Sequence, residues 1–551
     1  MIRAATVAGL LAAACAAPAG APKVEVTYDV LIRGGTVYDG SGAPGRVQDV
    51  AIRGDRIAAI GRLDATARKI VDARGLAVAP GFINMLSWST ESLLVDGDSQ
   101  SEIRQGVTLE VMGEGSSMGP LTPAMKQRMR AAQGDLRYDI TWTTLAGYLA
   151  ELERRGVSPN VASFVGAATV RANVLGLDDV QPTPAQLDAM RDIVRREMEA
   201  GALGIGSALI YAPGSYAKTE ELIELCKVAA RHGGKYASHI RGEGANLLQS
   251  LDELFRISRE AGIPAHIHHI KSTSTPSRME RALERVERAR ASGLDVTANL
   301  YLYAASSTGL SSRLPAWAHD GGPDALYRRL DDPVQRARMG AEMRRREGPL
   351  PRTLLLRFRS EALRPLTGRT LAEVARERGV DEVEAALDLI REDRSRVSVA
   401  FFSMREADIA AALARPWVAI GSDGASMATT PVFMRDSTHP RAYGNFARLL
   451  GKYVREDRVI SLPEAIRRLS GLPASILGLS DRGLVREGMH ADLALFDPAT
   501  IADTATYERP HSYAVGMRHV FVNGVQVLAH GEHTGARPGR AVWGPGRPGV
   551  P

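Results

Sequence analysis

Through the middle of the chain, short apolar runs alternate with stretches of helical spacing, and this alternation restricts the fold more than any other feature. Strand-like runs fall at Val107–Met112, 161–165, 203–207, 236–239, 264–270, Val296–Leu300, 354–356 and Val418–Ile420. Between them lie helix stops such as Gly233-Gly234 and Ala261-Gly262. Thr183-Pro184 is a helix start, a capping residue followed by proline at the first helical position. A chain that repeats strand and helix builds a parallel sheet, because parallel neighbours need a crossover, and the number of repeats fits a closed β/α barrel.

The two ends have a different texture. Residues 24–80 contain short alternating runs broken by Gly and Asp, as in Val30-Leu31-Ile32-Arg33 before Gly34-Gly35, and these mark hairpins. The same texture returns at Leu493-Ala494-Leu495-Phe496 and at Val520-Phe521-Val522-Asn523-Gly524-Val525. The expectation is a small composite β-sandwich domain from residues 24–80 and 475–530, a barrel over 81–474 inserted into it, and a Gly-, Pro- and Arg-rich tail over 531–551. Hydrophobic residues make up 44% and charged residues 24% of the 551, which excludes a disordered chain. The net charge is +6. Its Arg-rich segment, 328–352, reads as a solvated helical face, so nucleic-acid binding is not expected.

Residues 1–20 read as an export signal. Arg3 supplies the positive start and 4–14 the small, apolar run, which is too short for a transmembrane helix. Leu11-Ala12-Ala13-Ala14-Cys15 resembles a lipoprotein cleavage site, so Cys15 is a candidate lipid anchor. The expected location is periplasmic, or lipid-anchored in the cell envelope. The only other cysteine is Cys226, and no internal disulfide forms if Cys15 is lipidated or removed.

In a β/α barrel, side chains at the C-terminal strand ends point into one pocket. His239 and His269 fall at two successive strand ends. Glu114 follows the run ending at Met112, and Asp423 follows the run ending at Ile420. Taken singly, each has a plain structural reading: hydrogen-bonded core histidines, a turn glutamate, a helix-capping aspartate. Together, one carboxylate and two imidazoles make a ligand set that leaves a position open on a divalent cation. Such a cation lowers the pKa of bound water, and a second carboxylate can take the proton.

Further motifs resemble the amidohydrolase superfamily and, within it, the N-acyl-D-amino-acid deacylases (D-aminoacylases). Asp29-Val30-Leu31-Ile32-Arg33-Gly34-Gly35 and Ala77-Val78-Ala79-Pro80-Gly81-Phe82-Ile83 look like the superfamily's opening segments. Gly201-Ala202-Leu203-Gly204-Ile205-Gly206-Ser207, Tyr301-Leu302-Tyr303 and His439-Pro440-Arg441 look like the deacylases. The resemblance implies a metal-dependent β/α (TIM-like) barrel with a composite β-sandwich. It also implies that Glu114 stands where the family has a metal-binding Cys, and that His239 and His269 are the other ligands. Asp423 would be the proton shuttle, and Lys271, Tyr301 and Ser307 would bind substrate. The first strand departs from the superfamily, because its His-x-His reads Leu86-Ser87-Trp88 here. Leu has no donor atom and Trp only an N–H, so one of the two superfamily metal positions is lost.

The expected cofactor is therefore one divalent ion, zinc first, with manganese or iron as alternatives because glutamate is harder than thiolate. The expected activity is hydrolysis of the amide of a small N-acyl-D-amino acid. Two other readings stay open at this point: a cyclic amidase like dihydroorotase or hydantoinase, and a non-catalytic exported binding protein.

Overall fold

The structure, a computed structural model, describes Met1, residues 27–346 and residues 350–549. The export signal and Cys15 lie outside the described residues, Met1 apart.

The chain begins with β1 (Thr27–Val37), β2 (Arg46–Arg53), β3 (Arg56–Gly61), β4 (Thr66–Asp72) and β5 (Ala77–Pro80). It then enters the barrel through β6 (Phe82–Asn84), β7 (Val107–Met112), β8 (Asn160–Ser163), β9 (Val165–Gly166), β10 (Gly204–Ala208), β11 (Lys235–His239), β12 (Ala265–Ile267) and β13 (Val296–Leu300). An insertion carries β14 (Ser306–Gly309), β15 (Leu354–Arg357) and β16 (Ser398–Phe401). The last barrel strand is β17 (Val418–Ile420). The chain ends with β18 (Leu493–Phe496), β19 (Met517–Val522), β20 (Val525–Ala529) and β21 (Glu532–His533).

Both ends of the chain share one sheet, in the order β21-β20-β19-β18-β5-β1-β2-β3, with β4 paired to β1. The join is the antiparallel pair β18–β5, from Leu493 opposite Pro80 to Phe496 opposite Ala77. Alternate residues Val30 and Ile32, Val50 and Ile52, and Leu493 and Leu495 point inward and pack with Phe521. The β19–β20 turn is Asn523-Gly524, with φ of 49° and 79°, the left-handed pair of a two-residue hairpin.

The barrel ladder runs β6-β7-β8 and β9-β10-β11-β12-β13-β17, all parallel. Leu203 N–H donates to Ser163 O at 3.0 Å and links the two stretches, while Met85 N–H donates to Ile420 O at 3.2 Å and closes the ring. Every residue of β7 is buried, because both faces are covered, and its one charged member, Glu110, accepts from Ser87 and Ser99 Oγ at 2.6 and 2.7 Å. The outer helices bury one stripe each. In Pro184–Glu199, a capping box between Thr183 and Gln186 starts the helix, and Met190, Ile193, Val194 and Met198 face inward.

One strand belongs elsewhere than the alternation suggests. Residues 354–356 form β15 in a separate antiparallel sheet, β14-β16-β15, rather than in the barrel. This sheet and the helices Gly322–Asp331, Leu371–Arg378 and Glu382–Asp393 have their own apolar core, including Leu326, Leu355, Leu371, Leu387 and Val399. Local apolar patterning cannot separate a barrel strand from a strand of an inserted layer. The segment after β21 is laid along the barrel. Gly539 N–H donates to Val157 O at 2.8 Å, Val542 N–H to Val161 O at 2.8 Å, and Val542 is buried.

Candidate metal centre and active site

Four C-terminal strand ends place the site. Glu114 follows β7 on a tight turn, and Gly113 before it has φ of 102°. A Cβ on Gly113 would lie 2.3 Å from Phe164 O, so only glycine brings this turn against the next strand. His239 ends β11, and His269 lies just past β12. His269 has φ of 35°, and Asn299 of β13 holds it there by accepting its backbone N–H at 2.7 Å. Asp423 lies just past β17 with φ of 49°, and its N–H donates to Leu86 O at 2.9 Å. Non-glycine residues in the left-handed region store strain, and two of them here carry chemistry-bearing side chains.

The side chains of Glu114, His239 and His269 meet. Their ligand atoms all lie within 4.8 Å of one another, and all three residues are buried. Glu114 Oε1 is 2.9 Å from His239 Nδ1 and 3.0 Å from His269 Nε2. Burial alone would raise the Glu114 carboxyl, but the His269 charge and the two imidazole hydrogen bonds carry it well below its usual range. Burial and Lys271 push against a charged His269, and the carboxylates of Asp423 and Glu114 overcome them, lifting it to about 9.

The donor set fits a divalent cation: a carboxylate oxygen and two imidazole nitrogens converge in a buried place. His269 Nδ1 is backed as a ligand imidazole usually is, while the buried His239 Nε2 makes no hydrogen bond among the described residues. His239 Nε2 and His269 Nδ1 face the same oxygen of Glu243, at 3.5 and 3.1 Å. Burial would raise the Glu243 carboxyl, but the Lys271 and histidine charges around it hold it far below the usual range.

Asp423 stands beside this cluster. Its Oδ2 pairs with Arg441 Nη1 at 2.9 Å, and its Oδ1 accepts from Trp88 Nε1 at 3.0 Å. The same indole N–H donates to Glu114 Oε2 at 2.9 Å. Lys271 Nζ lies 2.6 Å from Glu243 Oε1 and 2.7 Å from His269 Nδ1. The Tyr301 ring lies between two cations, 5.6 Å from Lys271 Nζ and 4.5 Å from the Arg441 guanidinium carbon. Burial holds its phenol well above the ordinary value, so it remains a hydroxyl donor. Ser307 is on β14, and its carbonyl accepts from Arg441 at 3.4 Å.

Glu114, His239, His269, Asp423, Lys271 and Tyr301 thus meet in one buried cluster, whereas Ser307 reaches it only through its backbone carbonyl. Three further residues belong to it. Arg441 was visible only as part of His439-Pro440-Arg441. Glu243 sits four residues past His239 in a loop, with no periodic signal. Trp88 stands at a position read only as a lost ligand, yet it donates to two carboxylates. Asn299 orders the floor of the site. Besides holding His269, its amide lies 3.0 Å from His266 Nε2 and 3.3 Å from His268 Nδ1.

Known proteins resemble this chain over nearly its whole length. The profile of the Amidohydrolase family matches residues 69–528. The chain is 37% identical to the D-aminoacylase of Alcaligenes xylosoxydans xylosoxydans, covering 94% of this chain and 97% of that one. The crystal structure of N-acyl-D-glutamate deacylase from Bordetella bronchiseptica, in complex with zinc and a phosphonate inhibitor, superposes with a TM-score of 0.79 at 30% identity, covering 94% of this chain and 100% of that one. A D-aminoacylase structure described by one-metal activation and second-metal attenuation of a binuclear centre has a TM-score of 0.78 at 35% identity, covering 93% and 99%.

Proposed function

Because this chain belongs to the amidohydrolase family, we propose that it is a metal-dependent hydrolase that cleaves the linear amide bond of N-acyl-D-amino acids. The observation that carries this reading is the convergence of Glu114, His239 and His269 next to Asp423 and Arg441. Glu114, His239 and His269 would hold one divalent cation. Bound there, it supplies a Lewis acid for the scissile carbonyl and eases the deprotonation of water. Zinc suits two imidazoles and a carboxylate, while the hard carboxylate also admits manganese or iron.

The chain's own residues do the rest. Arg441, Lys271 and the Tyr301 hydroxyl form the cationic, hydrogen-bonding side of the site, which suits the carboxylate of an N-acyl amino acid. When Arg441 turns to that carboxylate, Asp423 Oδ2 is free to take the proton of the attacking water. Asp423 then hands the proton to the departing nitrogen, so that the amine leaves neutral. The indole N–H on Oδ1 fixes the carboxylate while this happens. Lys271 and Glu243 keep His269 in place. A non-catalytic binder would have no use for an aspartate ion-paired with Arg441 and bound by the Trp88 indole beside a ligand cluster. The signal-like N-terminus supports an exported enzyme, periplasmic or anchored through Cys15.

The test is a panel of N-acetyl and longer N-acyl derivatives of D- and L-amino acids, incubated with zinc-loaded protein and assayed for released amine. Turnover of D-enantiomers over L-enantiomers is expected. Absence of turnover across the panel, or hydrolysis confined to cyclic amides, would contradict the reading.

A further inference from the structure

Trp88 is more than a missing ligand. Its Nε1–H donates at 2.9 Å to Glu114 Oε2 and at 3.0 Å to Asp423 Oδ1. One neutral donor therefore sits between the carboxylate that would hold the cation and the carboxylate that would move the proton. Glu114 turns its other oxygen to the two imidazoles, and Asp423 turns its other oxygen to Arg441. Both carboxylates are thereby divided between two partners.

Two carboxylate oxygens facing one point ordinarily call for a cation or a hydrogen-bond donor, since an unsatisfied buried charge is costly. We propose that Trp88 is a positioning residue that fills this point with its indole N–H, restricting the centre to a single cation and reserving Asp423 for proton transfer. The inference rests on the cation-binding reading above.

Formal charge agrees. Around the cluster stand three carboxylates, Glu114, Glu243 and Asp423, and two side-chain cations, Lys271 and Arg441. One dication leaves a surplus of one positive charge, which the carboxylate of an N-acyl amino acid neutralises. A second dication would raise that surplus by two. Indole suits the role because it offers a donor and no acceptor. Its N–H does not titrate in the working range, so the clamp keeps its state when Asp423 gains and loses a proton. The Leu86-Ser87-Trp88 strand end thus stands as a designed one-cation site, not as a remnant.

The test uses Trp88→Phe, which keeps a ring and deletes the N–H. Trp88 is 36% exposed, so the ring volume lost in the variant opens in part to solvent, and an unchanged melting temperature verifies folding. Metal-free protein is titrated with zinc by calorimetry, and the loaded protein is assayed on the best N-acyl-D-amino acid. Wild type is expected to take one equivalent. The variant is expected to take a second, weaker equivalent, because Glu114 Oε2 and Asp423 Oδ1 are left facing each other without a donor. Its kcat should fall about tenfold to a hundredfold as Asp423 loses its orientation, with KM changed less than threefold or so. A variant that takes one equivalent, or that keeps the wild-type kcat, overturns the inference and leaves the proposed function standing. A wild type that binds no cation overturns both.

Discussion

Asp423→Asn removes the proposed proton acceptor with little else disturbed. Asn tolerates the left-handed φ of 49° better than any other residue except glycine, so the backbone beyond β17 stays in place. The amide oxygen still accepts from Trp88 Nε1, now 3.0 Å from Oδ1, and the backbone N–H still reaches Leu86 O. Two things are lost: the pairing of Oδ2 with Arg441 Nη1 at 2.9 Å, and the ability to take a proton. The first loss frees Arg441 for the substrate carboxylate, so KM is expected to stay level or fall. The second acts only in the transition state. A positioned acid–base group contributes about a hundredfold to ten-thousandfold, which corresponds to roughly 3–5 kcal/mol of barrier. The assay is steady-state hydrolysis of an N-acyl-D-amino acid, with zinc content measured on the same preparation. The expected result is a kcat lowered by that factor at unchanged zinc content. A kcat within about threefold of wild type at full zinc occupancy would refute the role of Asp423.

Ligand changes should act on the metal before they act on kinetics: His239→Ala, His269→Ala and Glu114→Ala are each expected to lose the bound zinc on dialysis, whereas Glu114→Cys keeps an anionic ligand and retains it; full zinc content in any of the three alanine variants would refute that ligand assignment. Arg441→Met should raise KM for N-acyl-D-amino acids roughly tenfold to a hundredfold, the loss of a charge-assisted hydrogen bond, and should cost an N-acyl-D-amino amide much less; equal losses on both substrates would detach Arg441 from the carboxylate. Burial, reinforced by the neighbouring His268, holds His266 well below its ordinary value, so the folded protein keeps it neutral while the unfolded chain protonates it near pH 6.5. Stability should therefore fall as pH drops below about 6.5, by up to about 1.4 kcal/mol per pH unit from this group, and His266→Gln should flatten that slope in urea unfolding; an unchanged slope would show that His266 is not held neutral.

The barrel was legible because its strands are buried on both faces and its helices on one, so two periods alternate along the chain. The positions of His239 and His269 followed from the same rule, since one closes β11 and the other lies just past β12, where strand ends face the pocket. The insertion carrying β14, β15 and β16 was less legible. Its strands have the same apolar texture as barrel strands, and only pairing distinguishes them. The polar clamp around the site was the least legible part. Trp88 and Asp423 are 335 residues apart, and Glu243 lies in a loop whose meaning depends on two strand ends. Hydrogen bonds between distant loops leave no period in the sequence. Ligand positions are written into strand ends, whereas the groups that orient ligands are settled by packing between segments.

The central claim is a single cation, held by Glu114, His239 and His269, that serves amide hydrolysis. Titrating metal-free protein with zinc while following hydrolysis of an N-acyl-D-amino acid tests it most directly. The account predicts that activity rises in proportion to zinc, breaks at one equivalent and then stays flat. Activity that appears only with a second equivalent, or that is equal in the metal-free protein, would contradict it.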